Sequence, residues 1–282
     1  MTFNIPSLKP YLLISIAIIL FFSSCTVERK MANQFVKHSD KLALMVLFPK
    51  EVLAVNEKAG DKPLTFFFDD VKSDTSLVRN TIILKDLDDE KIIAPFRQAY
   101  IAELKNYGLD VFEEEKMDEF LLIETDAFMM NLAQMEIQEY VTVYQDAIVV
   151  GEQPYTRDIW LNGINIAAWF ELNQFNNSFQ ERPKVLFASH DQLDNYNGYF
   201  IQKFFTGEIE YRLTVDTISM SSFVNFSNYL GRLYAAYTYD YLMNNYIKRK
   251  TTEEQRTNRY FRFDPYRKMF FFTEDDKFTE LE

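Results

Sequence analysis

From Ser221 to Lys250 the chain reads SSFVNFSNYLGRLYAAYTYDYLMNNYIKRK, in which Phe223, Phe226, Leu230, Leu233, Tyr237 and Tyr241 recur every three or four residues. That period puts them on one face of an α-helix. Ser221 or Ser222 can cap its start, and Lys248, Arg249 and Lys250 suit the negative end of the helix dipole. A helix of about 28 residues is about 42 Å long, so it is expected to lie across one face of a sheet. Turn formers are scarce, with 7 glycines and 8 prolines in 282 residues, and the other elements should also be long. Hydrophobic residues make up 48% of the chain, enough to build a core and to exclude disorder as the default.

The rest of the pattern points to an α+β fold. Lys41 to Phe48 is apolar on both faces and predicts a buried central strand stopped by Pro49. Further strands are expected at Leu64–Phe68 and Thr81–Leu84. Between Leu87 and Gly108, Ile92, Phe96, Tyr100 and Leu104 share a helix face, acids gather at the start and Gly108 can cap the end. Pro95 is placed near the first turn of that helix. A short strand, LDVFEE, follows. From Phe120 to Val150 the period is mostly two, and INIAAWFELNQ, PKVLFASH and EIEYRLTVD add three more strands of an antiparallel meander. The expectation is one α+β domain over residues 41–250, with a mixed, largely antiparallel sheet packed by one helix from the N-terminal half and the long C-terminal helix.

Catalytic constellations are nearly absent. The two histidines are His38 and His190, and no HExxH, CxxC, Walker glycine loop or GxSxG elbow occurs. Ser189, His190 and Asp191 are consecutive in an extended segment, so they point to alternate faces and cannot form one relay. The acids Asp86, Asp88, Asp89 and Glu90 suit a helix N-terminus. Glu113, Glu114, Glu115, Asp118 and Glu119 lack a calcium-hand glycine loop and read as a solvated edge. No metal, no cofactor and no enzymatic activity are expected.

Net charge is -12, which repels nucleic acid. The tail, residues 251–282, is different: eight basic and three acidic residues fall between Lys248 and Lys268, and RYFRFDPYRKMFFF interleaves arginine with aromatics. It is expected to dock on the acidic body, with a turn at Asp264–Pro265 and a terminal strand at Phe270–Phe272. Together with the tyrosine-rich helix it supplies a candidate interaction surface: Tyr234, Tyr237, Tyr241, Arg259, Tyr260, Arg262, Tyr266 and Arg267.

One cysteine, Cys25, stands behind an apolar run from Tyr11 to Phe22 that is too short to span a bilayer. With Lys9 before it and small residues after it, residues 1–24 read as a secretory signal. Phe22-Ser23-Ser24-Cys25 resembles the lipobox of bacterial lipoproteins. That resemblance implies diacylglycerol on Cys25, cleavage in front of it and attachment to the outer membrane, on its periplasmic face. The mostly polar residues that follow make 25–40 a tether, with one helical turn expected around Met31–Val36. The combined expectation is a lipid-anchored, non-enzymatic accessory or scaffold subunit of a Gram-negative envelope complex. The alternative is a glycan- or lipid-binding lipoprotein with a cleft beside the tyrosine-rich helix.

Overall fold

The structure, a computed structural model, describes residues 27–58, 80–123, 126–175, 182–257 and 259–282. The lipobox with Cys25 and the strand expected at Leu64–Phe68 lie outside the described residues.

In chain order the elements are helix α1 (Val27–His38), strands β1 (Ala43–Leu47) and β2 (Leu53–Asn56), helix α2 (Asp89–Asn106), strand β3 (Asp110–Phe112) and the short helix α3 (Met117–Leu121). Then come β4 (Ala127–Val150), β5 (Gln153–Phe175), β6 (Lys184–Leu193), β7 (Asn195–Gln202) and β8 (Ile209–Asp216), the long helix α4 (Met220–Lys250), and β9 (Tyr260–Asp264), β10 (Met269–Thr273) and β11 (Thr279–Leu281). The fold is α+β, as expected. The described residues form two compact units, one drawn from Lys41–Ala236 with Phe278–Glu282, the other from 27–40 with Tyr237–Lys277.

The larger unit is built on a seven-stranded mixed sheet ordered β11-β6-β5-β4-β1-β3, with β2 paired beside β4. β1 runs parallel to both β3 and β4, whereas β4, β5 and β6 form an antiparallel meander. β4 alternates until an irregularity between Leu132 and Gln134. After it, Met135, Ile137 and Glu139 point into the core, and Gln134, Glu136 and Gln138 to the other side. The core is aromatic: Phe170 of β5 meets Tyr100 of α2, Tyr234 of α4 and Phe278. A second cluster under β1 gathers Ala43, Met45, Phe120 and Ala127.

Two local expectations need correction, and a third holds. Thr81–Leu84 is not a strand; Leu84–Asp86 is a turn of 3-10 helix, because the N–H groups of Ile82, Ile83 and Leu84 all donate to the Glu139 carboxylate instead of to a neighbouring strand. Pro95 sits inside α2 rather than in its first turn. Gly108 does end α2, at φ 86°, with Leu109 N–H donating back to Leu104 in the manner of a Schellman cap.

In the smaller unit the segment expected as a tether is helical over α1. Glu28, Ala32 and Phe35 recur at four and three residues and are buried, Phe35 against Tyr239 and Tyr246 of α4. Glu28 accepts from the N–H and hydroxyl of Thr257. The tail is a hairpin: β9 and β10 pair antiparallel, and Asp264 Oδ1 accepts the N–H groups of Tyr266 and Arg267, the Asx turn that Asp264-Pro265 suggests.

Candidate interaction surfaces

The tyrosine part of the expected surface is enclosed. Tyr234, Tyr237 and Tyr241 are all buried. Tyr234 lies on Phe170, Phe96 and Phe278, and its hydroxyl meets His190 Nδ1 at 3.0 Å. Burial pushes the Tyr234 hydroxyl pKa upward, helped by the Asp191 charge, and burial draws the His190 pKa down. Tyr237 donates to Asp276, which also holds Arg262. These tyrosines face the core because the helix is apolar on most of its circumference, and their hydroxyls find polar partners at its edge.

The tail spends most of its charges and rings on itself. Arg259 stands over the Phe272 ring at 5.0 Å and Lys277 over Tyr260 at 5.1 Å. Arg256 donates to the carbonyls of Lys248 and Thr251, at the C-terminal end of α4, and Arg267 lies 3.8 Å from Asp264. Tyr266 is exposed on the turn, as are Met269, Phe271 and Phe272 on the strand. Of the predicted surface, Arg259, Tyr266 and Arg267 are exposed, and Tyr260 and Arg262 are half-buried.

Beside β9, α4 supplies what a neighbouring strand would. Asn244 accepts from Phe261 N–H at 3.0 Å and donates to Phe261 C=O at 2.7 Å, and Asp240 Oδ1 accepts from Phe263 N–H at 2.9 Å. Phe261 and Phe263 share one strand edge, since alternate residues of an antiparallel strand turn their backbone groups to the same side.

In the larger unit Ser189, His190 and Asp191 do alternate. His190 faces Tyr234, while Ser189 and Asp191 bond Asn165, and Tyr140 donates to Asp191 at 2.8 Å. This open sheet face also carries Glu136, Gln138 and the ring pair Trp169–Phe187, with centroids 5.0 Å apart. It is a flat polar lattice with one aromatic step. Among the described residues no cluster of three or more His, Cys, Asp or Glu could hold a metal ion.

Two features went unread in the sequence. Past Gly163, the last β5 position that β6 covers, β4 and β5 continue as a ribbon to the turn at Gly151. The β7–β8 hairpin lies along that ribbon, with Tyr144 near Tyr196 and Tyr211 donating to Asp146 at 2.5 Å. Exposed apolar side chains concentrate here: Val143, Tyr144, Ile148, Val149 and Tyr155 on the ribbon, and Tyr199, Phe204, Phe205, Leu213 and Val215 on the hairpin. The available signal was KFFTG, an apolar doublet next to a turn glycine. The other feature is the buried Glu139, which lies on the core parity of Met135 and Ile137.

No protein-family model matches the chain, and no curated protein shows significant similarity to it.

Proposed function

We propose that the protein is a lipid-anchored, non-enzymatic accessory subunit of a Gram-negative envelope complex, held through diacylglycerol on Cys25 at the periplasmic face of the outer membrane. It engages partner proteins through the free edge of β8. The observation that supports this reading is β8 itself: among the described residues it pairs only with β7, and it is exposed from Arg212 to Asp216 with Leu213 and Val215 on its surface. An open strand edge is a template for a partner's strand, and exposed apolar side chains beside it add area and selectivity.

Intact-mass measurement and membrane fractionation of the wild type and Cys25→Ala test the anchor. A diacylglycerol increment and outer-membrane fractionation, both lost in the variant, are expected. Cross-linking in whole cells then tests the edge. A Leu213→Asp/Val215→Asp variant is expected to keep its membrane fractionation and lose its partner cross-links, and unchanged cross-links would refute β8 as the contact.

Glycan binding is a second reading. With Tyr234 and Tyr237 packed, the surface that favours it is the open sheet face, where Trp169 and Phe187 stand beside Asn165, Ser189 and Asp191. Aromatic faces and planar polar groups suit sugars, and titration of Trp169 fluorescence with envelope oligosaccharides separates the two readings.

A further inference from the structure

We propose that the paired hairpin ends of the larger unit form a membrane-contact tip, in which Phe204 and Phe205 enter the headgroup region of a zwitterionic lipid surface. This contact is separate from the Cys25 anchor and from the β8 edge.

Phe204 and Phe205 are 94% and 96% exposed, the largest apolar exposure in the described chain. Their exposure does not come from a loose loop. Lys203 N–H donates to Glu208 C=O at 2.9 Å, Gly207 N–H donates to Lys203 C=O at 2.9 Å, and Gln202 Nε2 reaches Gly207 C=O at 3.2 Å. Gly207 takes the positive φ of 70° that the turn needs. These bonds close the base of the turn and hold Phe204 and Phe205 outward, and the peptide groups at its tip keep their water at headgroup depth while the rings reach further in. The charges nearest the rings are paired below them, Lys203 with Glu208 at 3.0 Å and with Glu210 at 3.4 Å.

The ribbon ends in a second apolar turn that points the same way. Going from Tyr144 to Asp146 along β4, the contacts move from Tyr196 to Tyr211, which is paired with Phe200. β7 therefore runs beside β4 toward the same end. Each strand has about the same distance left to its turn: Val150 is four residues beyond Asp146, and Phe204 is four beyond Phe200. Ile148, Val149 and Tyr155 are exposed on the ribbon's last turn-side residues.

A convex tip fits a lipid surface better than it fits a protein. Two phenylalanine rings offer roughly 300–500 Å², whereas each partner of a stable protein interface gives up about 800 Å². The charges of both ends favour a zwitterionic headgroup. Arg157, Lys203 and Arg212 are outnumbered by Asp146, Glu152, Asp158, Glu208 and Glu210, so anionic lipid is disfavoured.

Cys25 is the only cysteine, so the full chain carrying Cys25→Ala accepts one reporter thiol. Phe204→Cys, labelled with an environment-sensitive dye, is mixed with phosphatidylcholine vesicles; Asp216→Cys, at the base of the same hairpin, is the control. The expected result is a blue-shifted, several-fold brighter signal at 204 that brominated lipid quenches, no change at 216, loss of the 204 response when Phe205→Ser is added, and a weaker response as anionic lipid is mixed in. Vesicle attachment through the apolar run at residues 11–22 would immerse neither label. Equal responses at 204 and 216, no response at 204, a response that anionic lipid strengthens, or one produced only by detergent-extracted envelope protein would each overturn the proposal. Circular dichroism of every variant confirms that the fold is kept.

Discussion

Lys58 and Glu139 form an ion pair at 2.6 Å with neither side chain more than 1% exposed. The pair is satisfied on every side. Glu139 accepts the N–H groups of Ile82, Ile83 and Leu84, and Lys58 also donates to Asn80 C=O and to Asn162 Oδ1. Asn162 in turn donates to Asp194, which accepts Ile218 N–H. One network thus joins β4, β5 and the segments before β7 and α4.

Removing one member of a buried pair leaves the other uncompensated, at about 3–5 kcal/mol. Glu139→Ala should fall in that range by urea denaturation. Lys58→Met should cost less, because three N–H groups still hold the carboxylate. Burial opposes ionisation of Glu139, but Leu84 N–H, Lys58 and Ile82 N–H outweigh it and leave its pKa below the usual 4.5. Its ionised form therefore stabilises the fold above about pH 4.5, and that contribution disappears as pH falls through the lower folded value. Glu139→Gln should flatten this part of the acid limb.

Asp240 presents the opposite sign. Its side chain is fully enclosed, Oδ1 takes Phe263 N–H, and Oδ2 has no hydrogen-bond partner among the described residues. Burial pushes its pKa well above 3.8, against the opposing pull of Phe263 N–H and Arg262. The folded state then holds a proton that the unfolded chain releases, so Asp240 lowers stability as pH rises above about 4 toward its folded pKa. Asp240→Asn keeps a carbonyl for Phe263 N–H without this penalty. The variant should gain on the wild type in melting temperature as pH rises above about 4, and a difference that does not change with pH would show that Asp240 has no raised pKa.

Elements whose burial follows a single period were legible from the residues alone. The β4–β6 meander is of this kind, and α4 and β1 were legible from the three-to-four spacing of apolar residues and from an unbroken apolar run. The extent of α1 was missed because its buried stripe holds only Glu28, Ala32 and Phe35 among polar residues, and Glu28 is buried through Thr257, a partner some 230 residues away. The start of β5, PYTRD, is exposed on both faces, so it carries no alternation. The Tyr234 and Tyr237 surface failed because periodicity says which residues share a helix face and not whether that face is covered.

Asn244 takes the place of a strand beside β9, and its loss should be felt locally. Asn244→Ala strands both the N–H and the C=O of Phe261, at about 1–3 kcal/mol for each group left unsatisfied. Amide exchange at Phe261 should accelerate more than at residues of the larger unit such as Ile166. Uniform acceleration across both units would show that they unfold together.

Gly231 lies within α4, where alanine is intrinsically better by about 1 kcal/mol, yet here the substitution should destabilise. A Cβ at 231 would stand 2.3 Å from the Phe96 carbonyl oxygen and 3.1 Å from Ala99 Cβ, so α4 and α2 would have to separate. Ser227 donates to Ile92 C=O at 2.8 Å and Asn228 to Pro95 C=O at 3.4 Å along the same contact, and both bonds would stretch. Overpacking of this kind costs about 1–3 kcal/mol, which outweighs the gain in helix propensity. Gly231→Ala should therefore lower the urea midpoint, while Asn225→Ala at an exposed position of the same helix should not lower it. A stabilised Gly231→Ala would mean that the two helices do not meet as closely as Ser227 and Ile92 require.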